Sequence, residues 1–103
     1  MPAKIRNKIA LGQYELSKHA VDQSIIRNIG LGELEQALIN PSELIEDYPD
    51  DKYGPSCLLL GFTDKGRALH IQCSHPERPL VKIVTLYEPD PNAWENLKSR
   101  VRH

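Results

Sequence analysis

The stretch SCLLLGFTDKGRALHIQCS, residues 56–74, constrains this chain more than any other. SCLLLGF is a short, strongly apolar run with the length of a buried strand. TDKGR follows as a tight turn, with Gly66 free to take a positive φ. ALHIQCS then alternates, setting Leu69, Ile71 and Cys73 against His70, Gln72 and Ser74. Two strands joined by so short a turn pair antiparallel. After SHPERP the chain returns as LVKIVTLYE, whose length and β-branching predict another strand. ELIEDYPDD, upstream, reads as a strand leading to a turn. Helical sequence precedes this meander instead of alternating with it, which predicts α+β and not α/β.

The helical part begins at Pro2, with Ile5, Ile9 and Leu11 apolar and Gly12 as a stop. Ser17 is a good N-cap for a helix over 17–29, with Gly30 suited to the C′ position. At about 100° per residue, Val21, Ile25, Ile26 and Ile29 form its predicted buried arc. His19, Gln23 and Arg27 form a line beside that arc, at the margin of the core. A second helix over 32–39 carries Leu34, Ala37 and Leu38 on one face, and Pro41 ends it. At the far end, Asp90 and Pro91 read as N-cap and first residue of a helix over PNAWENLKSRV, with Trp94 buried against the sheet. The expected fold is one α+β domain over residues 1–103, with N-terminal helices, a three- or four-stranded antiparallel sheet and a C-terminal helix.

The net charge of −1 is unevenly spread, at +3 over residues 1–30, −7 over 31–64 and +3 over 65–103. Basic flanks that meet in space can hold a polyanion, although the near-zero total argues against a chain living mainly on nucleic acid. No apolar run is long enough to span a bilayer. The basic N-terminus lacks the apolar stretch of a secretion signal. Two cysteines are too few for a disulfide framework, so Cys57 and Cys73 are expected as free thiols in a cytoplasmic protein.

If His70 lies opposite Thr85, then His70, Gln72, Thr85 and Tyr87 share one sheet face, and Leu69, Ile71, Val84 and Leu86 share the other. His19, Arg27, His70, Thr85 and Tyr87 then make a candidate site suited to phosphodiesters. Either histidine can move protons near neutral pH, activating a ribose 2′-hydroxyl or protonating a leaving oxygen. Arg27 can hold the scissile phosphate in a fork. Tyr87 can orient a phosphate or a base, and Thr85 can support His70. The same residues also fit a buried polar network that fixes helix to sheet. Cys57, His70, Cys73 and His75 are a poor zinc set, because His70 and Cys73 point to opposite faces of a strand. Neither a cofactor nor a metal is expected. Serine-elbow, phosphate-loop and calcium-loop patterns are all missing.

YELSKHAVDQSIIRNI, LIEDYPDDKYGPSCLLLGF, GRALHIQCS and KIVTLYEPDPNAW together resemble the bacterial domain-of-unknown-function 4258 family, from about Ile5 to Trp94. His19, Arg27, His70, Thr85 and Tyr87 match the family pattern; Gln23 stands where members often have arginine. The family is similar to ribonuclease toxins of the RelE-like fold and to the MqsR and BrnT toxins. That resemblance implies a RelE-like architecture, metal-independent RNA cleavage, and an antitoxin partner, in some cases with a zinc-ribbon segment. The alternative expectation is a non-catalytic protein- or RNA-binding module with structural histidines.

Overall fold

A computed structural model describes residues 1–52 and 54–101. Its elements are α1 (Pro2–Ala10), β1 (Tyr14–Leu16), α2 (Lys18–Ile26), α3 (Leu31–Ile39), β2 (Glu43–Tyr48), β3 (Ser56–Phe62), β4 (Ala68–Ser74), β5 (Val81–Tyr87), β6 (Trp94–Glu95) and β7 (Ser99–Arg100). The main sheet has five strands in the order β1-β5-β4-β3-β2. Every pairing in it is antiparallel except β1 with β5, which is parallel. Among the described residues, no helix is long and apolar enough to cross a membrane.

Two features correct the expected three- or four-stranded antiparallel RelE-like sheet with a C-terminal helix. The first is β1. Tyr-Glu-Leu is too short to show a period, and its pairing depends on residues far away in sequence. Val81 N–H donates to Gln13 O at 3.0 Å and Ser17 N–H to Ile83 O at 2.9 Å, holding β1 along β5. The second is the C-terminal segment, which forms the β6–β7 hairpin. Asn96 and Leu97 have φ of 51° and 65°, a pair of left-handed residues that turns the chain between Glu95 and Lys98, whose N–H donates to Glu95 O, and stops a helix. The hairpin makes Trp94 and Arg100 register partners. Trp94 is buried as expected, but on a hairpin.

The helices cover one face of the sheet. Ile5, Ile9, Leu34 and Leu38 pack there with Leu59, Leu69, Ile71, Ile83 and Leu86. α3 lies so close to β3 that a Cβ on Gly61 would stand 2.1 Å from Ala37 O. Cys57 and Cys73 are cross-strand partners on this face, both buried and free, with sulfurs 4.0 Å apart.

The predicted buried arc of α2 needs correcting. Val21 is exposed, and Ile25 and Ile26 are 73% and 74% exposed. Asn28, at φ 53°, ends the helix early and swings Ile29 into the core from the connection. Gly30 is the N-cap of α3 in extended conformation, not a left-handed C′ residue. Only Ala20 of α2 is buried, because a small side chain lets the helix sit close to β5.

The register also differs from the expected one. His70 lies opposite Tyr87 and Gln72 opposite Thr85. A shift of two preserves parity, so these four still share a face. Between Gln72 and Cys73 a bulge makes Ile83 the partner of Cys73. Ile83 therefore takes the core place expected for Val84, which is half-buried.

The close approach of α3 and β3 yields a paired prediction. Gly61→Ala should destabilise by about 1–3 kcal/mol or more, because backbone must move. Gly32→Ala meets nothing within 4 Å and should be neutral or stabilising by up to about 1 kcal/mol. Urea unfolding of both variants checks this; equal midpoints would contradict it.

Candidate functional site

The second face of the sheet carries polar residues in rows set by the pairing. One row holds His70 and Tyr87, the next Gln72 and Thr85, and the next Ser56 and Ser74. α2 borders this surface along β5. Its N-cap Ser17 donates through Oγ to Val84 O at 3.0 Å and accepts from Ala20 N–H at 3.0 Å. At its other end, the Arg27 guanidinium lies 5.8 Å from the centre of the Tyr87 ring. The helix therefore runs alongside the second half of β5.

His70 is 0% exposed. Nε2 is 2.6 Å from Leu97 O and Nδ1 is 3.2 Å from the Tyr87 hydroxyl. A carbonyl only accepts, so Nε2 carries the proton and donates to Leu97 O. In the neutral ring Nδ1 then accepts from Tyr87 O–H. The Trp94 ring stands edge-on to the imidazole, at 4.5 Å between centres. Burial pushes the His70 pKa below its ordinary value of 6.5, outweighing the Leu97 hydrogen bond and the Glu46 charge, which favour the proton. Burial likewise raises the Tyr87 phenol, keeping it protonated.

The hairpin that seals His70 is held from outside. Arg100 donates to Glu46 through Nε at 3.0 Å and Nη2 at 3.1 Å, and its guanidinium lies 4.7 Å from the centre of the Trp94 ring. That fork holds the Glu46 carboxyl below the usual carboxylate range despite partial burial. Tyr48 also donates to Glu46, and Lys98 pairs with Glu43 at 3.0 Å.

The structure therefore brings His70, Tyr87 and Arg27 into one chain of contacts. Thr85 sits one row away, opposite Gln72, and the group that meets His70 is Tyr87. Arg27 Nε donates to Gln23 at 2.7 Å, so those two members of the helix line are bonded. His19 stands exposed in the first turn of α2, with no side-chain hydrogen bond or ion pair among the described residues. It lies about 12 Å from Arg27 along the helix axis, at about 1.5 Å per residue. Among the described residues no group of three His, Cys, Asp or Glu side chains could hold a metal.

Sequence reasoning missed Arg67, Glu46 and Arg100. Arg67 donates to Arg27 O at 3.1 Å, Asn28 O at 2.9 Å and Glu33 Oε1 at 3.0 Å, and it also bonds Glu88. It thereby ties the end of α2 to β4. These charges are scattered through the sequence at no informative spacing, so only the fold reveals them.

A groove of about 590 Å³ crosses the polar face, lined by Tyr48, Pro49, Asp50, Asp51, Gln72 and Arg100. A second, of about 350 Å³, shares Asp51 with it and reaches Ser17, Ser74, Arg78 and Lys82. Leu58 and Leu60, in register with Gln72 and His70, are buried on this face as well, so the grooves meet half-buried Gln72, Thr85 and Tyr87 beside a sealed histidine.

The depressed pKa of His70 fixes a pH dependence. Between the lowered folded value and the ordinary 6.5, the unfolded chain binds more protons than the folded one, so stability rises with pH. This contribution should be full above about pH 6.5 and be lost as pH falls towards the folded value. Urea midpoints followed from about pH 8 to about pH 5 should decline in that window for the wild type and decline less for His70→Gln; parallel curves would contradict the assignment.

No curated protein and no solved structure matches the chain. The family model described as a domain of unknown function, DUF4258, matches residues 16–88, which run from the last residue of β1 through the residue after β5 and include His70, Tyr87 and Arg27. With that match covering more than half of its length, the chain belongs to the DUF4258 family.

Proposed function

We propose that this chain is a cytoplasmic, metal-independent endoribonuclease that acts as the toxin of a toxin–antitoxin pair, and that His70 moves protons only through Tyr87. The observation that carries this reading is the 3.2 Å bond between the Tyr87 hydroxyl and Nδ1 of a histidine whose other nitrogen is fixed on Leu97 O. A wholly buried imidazole cannot touch RNA, but the half-buried phenol beside it can. As a ribose 2′-hydroxyl gives its proton to Tyr87 Oη, the phenol's own proton passes to His70 Nδ1. The 2′-oxygen attacks phosphorus, the bond to the 5′-oxygen breaks, and that oxygen takes a proton from solvent. The products are a 2′,3′-cyclic phosphate and a 5′-hydroxyl. Leu97 O and the Glu46 charge favour the His70 cation that forms. Arg27, above the Tyr87 ring, supplies the fork for the scissile phosphate. Thr85 and Gln72 line the floor. His19, two turns away, holds a flanking part of the RNA. An antitoxin protein is the partner, and the exposed ridge of Val21, Ile25 and Ile26 offers it apolar surface.

The complete burial of His70 favours a second reading, a non-catalytic RNA-binding module in which His70 only latches the hairpin. RNA cleavage with a chelator present, normalised to folded protein, separates the two. Tyr87→Phe keeps the ring but not the proton relay and should slow cleavage by about 100- to 10,000-fold. Arg27→Lys should also slow it, because an ammonium lacks the fork. Undiminished cleavage by folded Tyr87→Phe would overturn the relay, and RNA binding without cleavage by the wild type would favour the module.

A further inference from the structure

The groove at the far end of β5 has a chemistry of its own. Its walls carry three serines, Arg78 and Lys82. Two of the hydroxyls are fully engaged within the protein. Ser17 Oγ donates to Val84 O and accepts from Ala20 N–H. Ser56 Oγ donates to Asp51 at 2.9 Å and accepts from Gln72 at 3.2 Å. Ser74 differs. It is only 3% exposed, and its oxygen accepts from Lys82 N–H at 2.9 Å. Its hydroxyl proton has no acceptor among the described residues. A buried hydroxyl left with a free donor calls for an acceptor from outside.

The charges beside it select that acceptor. Neither Lys82 nor Arg78 has an ion-pair partner among the described residues. Lys8 is held next to them, its Nζ donating to Arg78 O at 2.8 Å and Pro79 O at 3.2 Å. Asp51 also lines this groove, and its charge keeps an anion to the Ser74, Lys82 and Arg78 side. A phosphate oxygen satisfies all three donors at once.

We infer that Ser74, Lys82 and Arg78 form a subsite for a backbone phosphate more than one linkage away from the scissile one, so that the substrate is a single-stranded RNA segment lying along β5. This rests on the proposed ribonuclease reading and adds the length and strandedness of its substrate. Because of the bulge at Val84, Lys82 and Tyr87 span the four-residue interval from Ser74 to His70 on β4, roughly 13 Å at about 3.3 Å per residue. That exceeds the reach of one internucleotide linkage. A strand face bounded by cations at both ends, Lys82 at one and Arg27 at the other, tracks a backbone without reading its sequence.

The test measures binding of an uncleavable 2′-O-methyl octanucleotide and of the matching dinucleotide over a range of salt, for wild type, Lys82→Gln and Arg78→Gln. The wild type should bind the octanucleotide more tightly. Each variant should lose that gain in part and lower the salt slope by about 0.7 per phosphate contact removed, while dinucleotide binding stays unchanged. An octanucleotide affinity and slope unaltered in both variants would overturn the subsite. Equal weakening of the dinucleotide would also overturn it, by placing these cations at the scissile phosphate. Absence of octanucleotide binding by the wild type would remove both the subsite and the ribonuclease reading. Normal length dependence together with undiminished cleavage by Tyr87→Phe would remove the relay alone.

Discussion

The imidazole of His70 bridges Tyr87 on one side and Leu97 O on the other, and the second face of the sheet is organised around that bridge. A buried neutral histidine whose Nε2 faces a carbonyl oxygen has one tautomer open to it, with the proton on Nε2. Because Leu97 O can only accept, the ring must accept from Tyr87. The bond to Leu97 also holds the turn of the β6–β7 hairpin, and that hairpin brings Trp94 over the ring. Arg100, Glu46 and Tyr48 fix the hairpin from outside. Sealing the imidazole depresses its pKa and leaves the half-buried Tyr87 phenol as its side-chain hydrogen-bond partner among the described residues.

On the opposite face the controlling constraint is steric. With no Cβ on Gly61, α3 meets β3 at backbone distance, and the helical layer can close over Leu59, Leu69 and Ile71. Arg67 then joins the α2–α3 connection to the start of β4. These contacts set where α2 ends and so where Arg27 stands over Tyr87.

Much of this was legible in local pattern. SCLLLGF and ALHIQCS span β3 and β4 residue for residue, because apolar runs bounded by turn residues mark strand ends. The shared face of His70, Gln72, Thr85 and Tyr87 was legible too, since parity survives a shift of two. What failed depended on distant partners. β1 has no period of its own and exists because β5 offers an edge. The hairpin at Asn96 and Leu97 replaces a locally plausible helix because Trp94 must reach His70 while Arg100 reaches Glu46. Helix geometry puts residues six apart on different faces, whereas hairpin register puts them side by side. The apolar side of α2 read as core because angular spacing along a helix carries no information about where the helix ends; Asn28 ends it and leaves Ile25 and Ile26 outside.

The most direct measurement of the central claim is the ¹⁵N spectrum of the His70 ring, followed from neutral to acid pH. A sealed, neutral imidazole should show a protonated Nε2 and an accepting Nδ1, a slowly exchanging Nε2 proton, and titration below the ordinary 6.5. Tyr87→Phe should shift the Nδ1 signal and leave Nε2 in place. A proton on Nδ1, or a ring that exchanges freely and titrates at the ordinary value, would contradict the account.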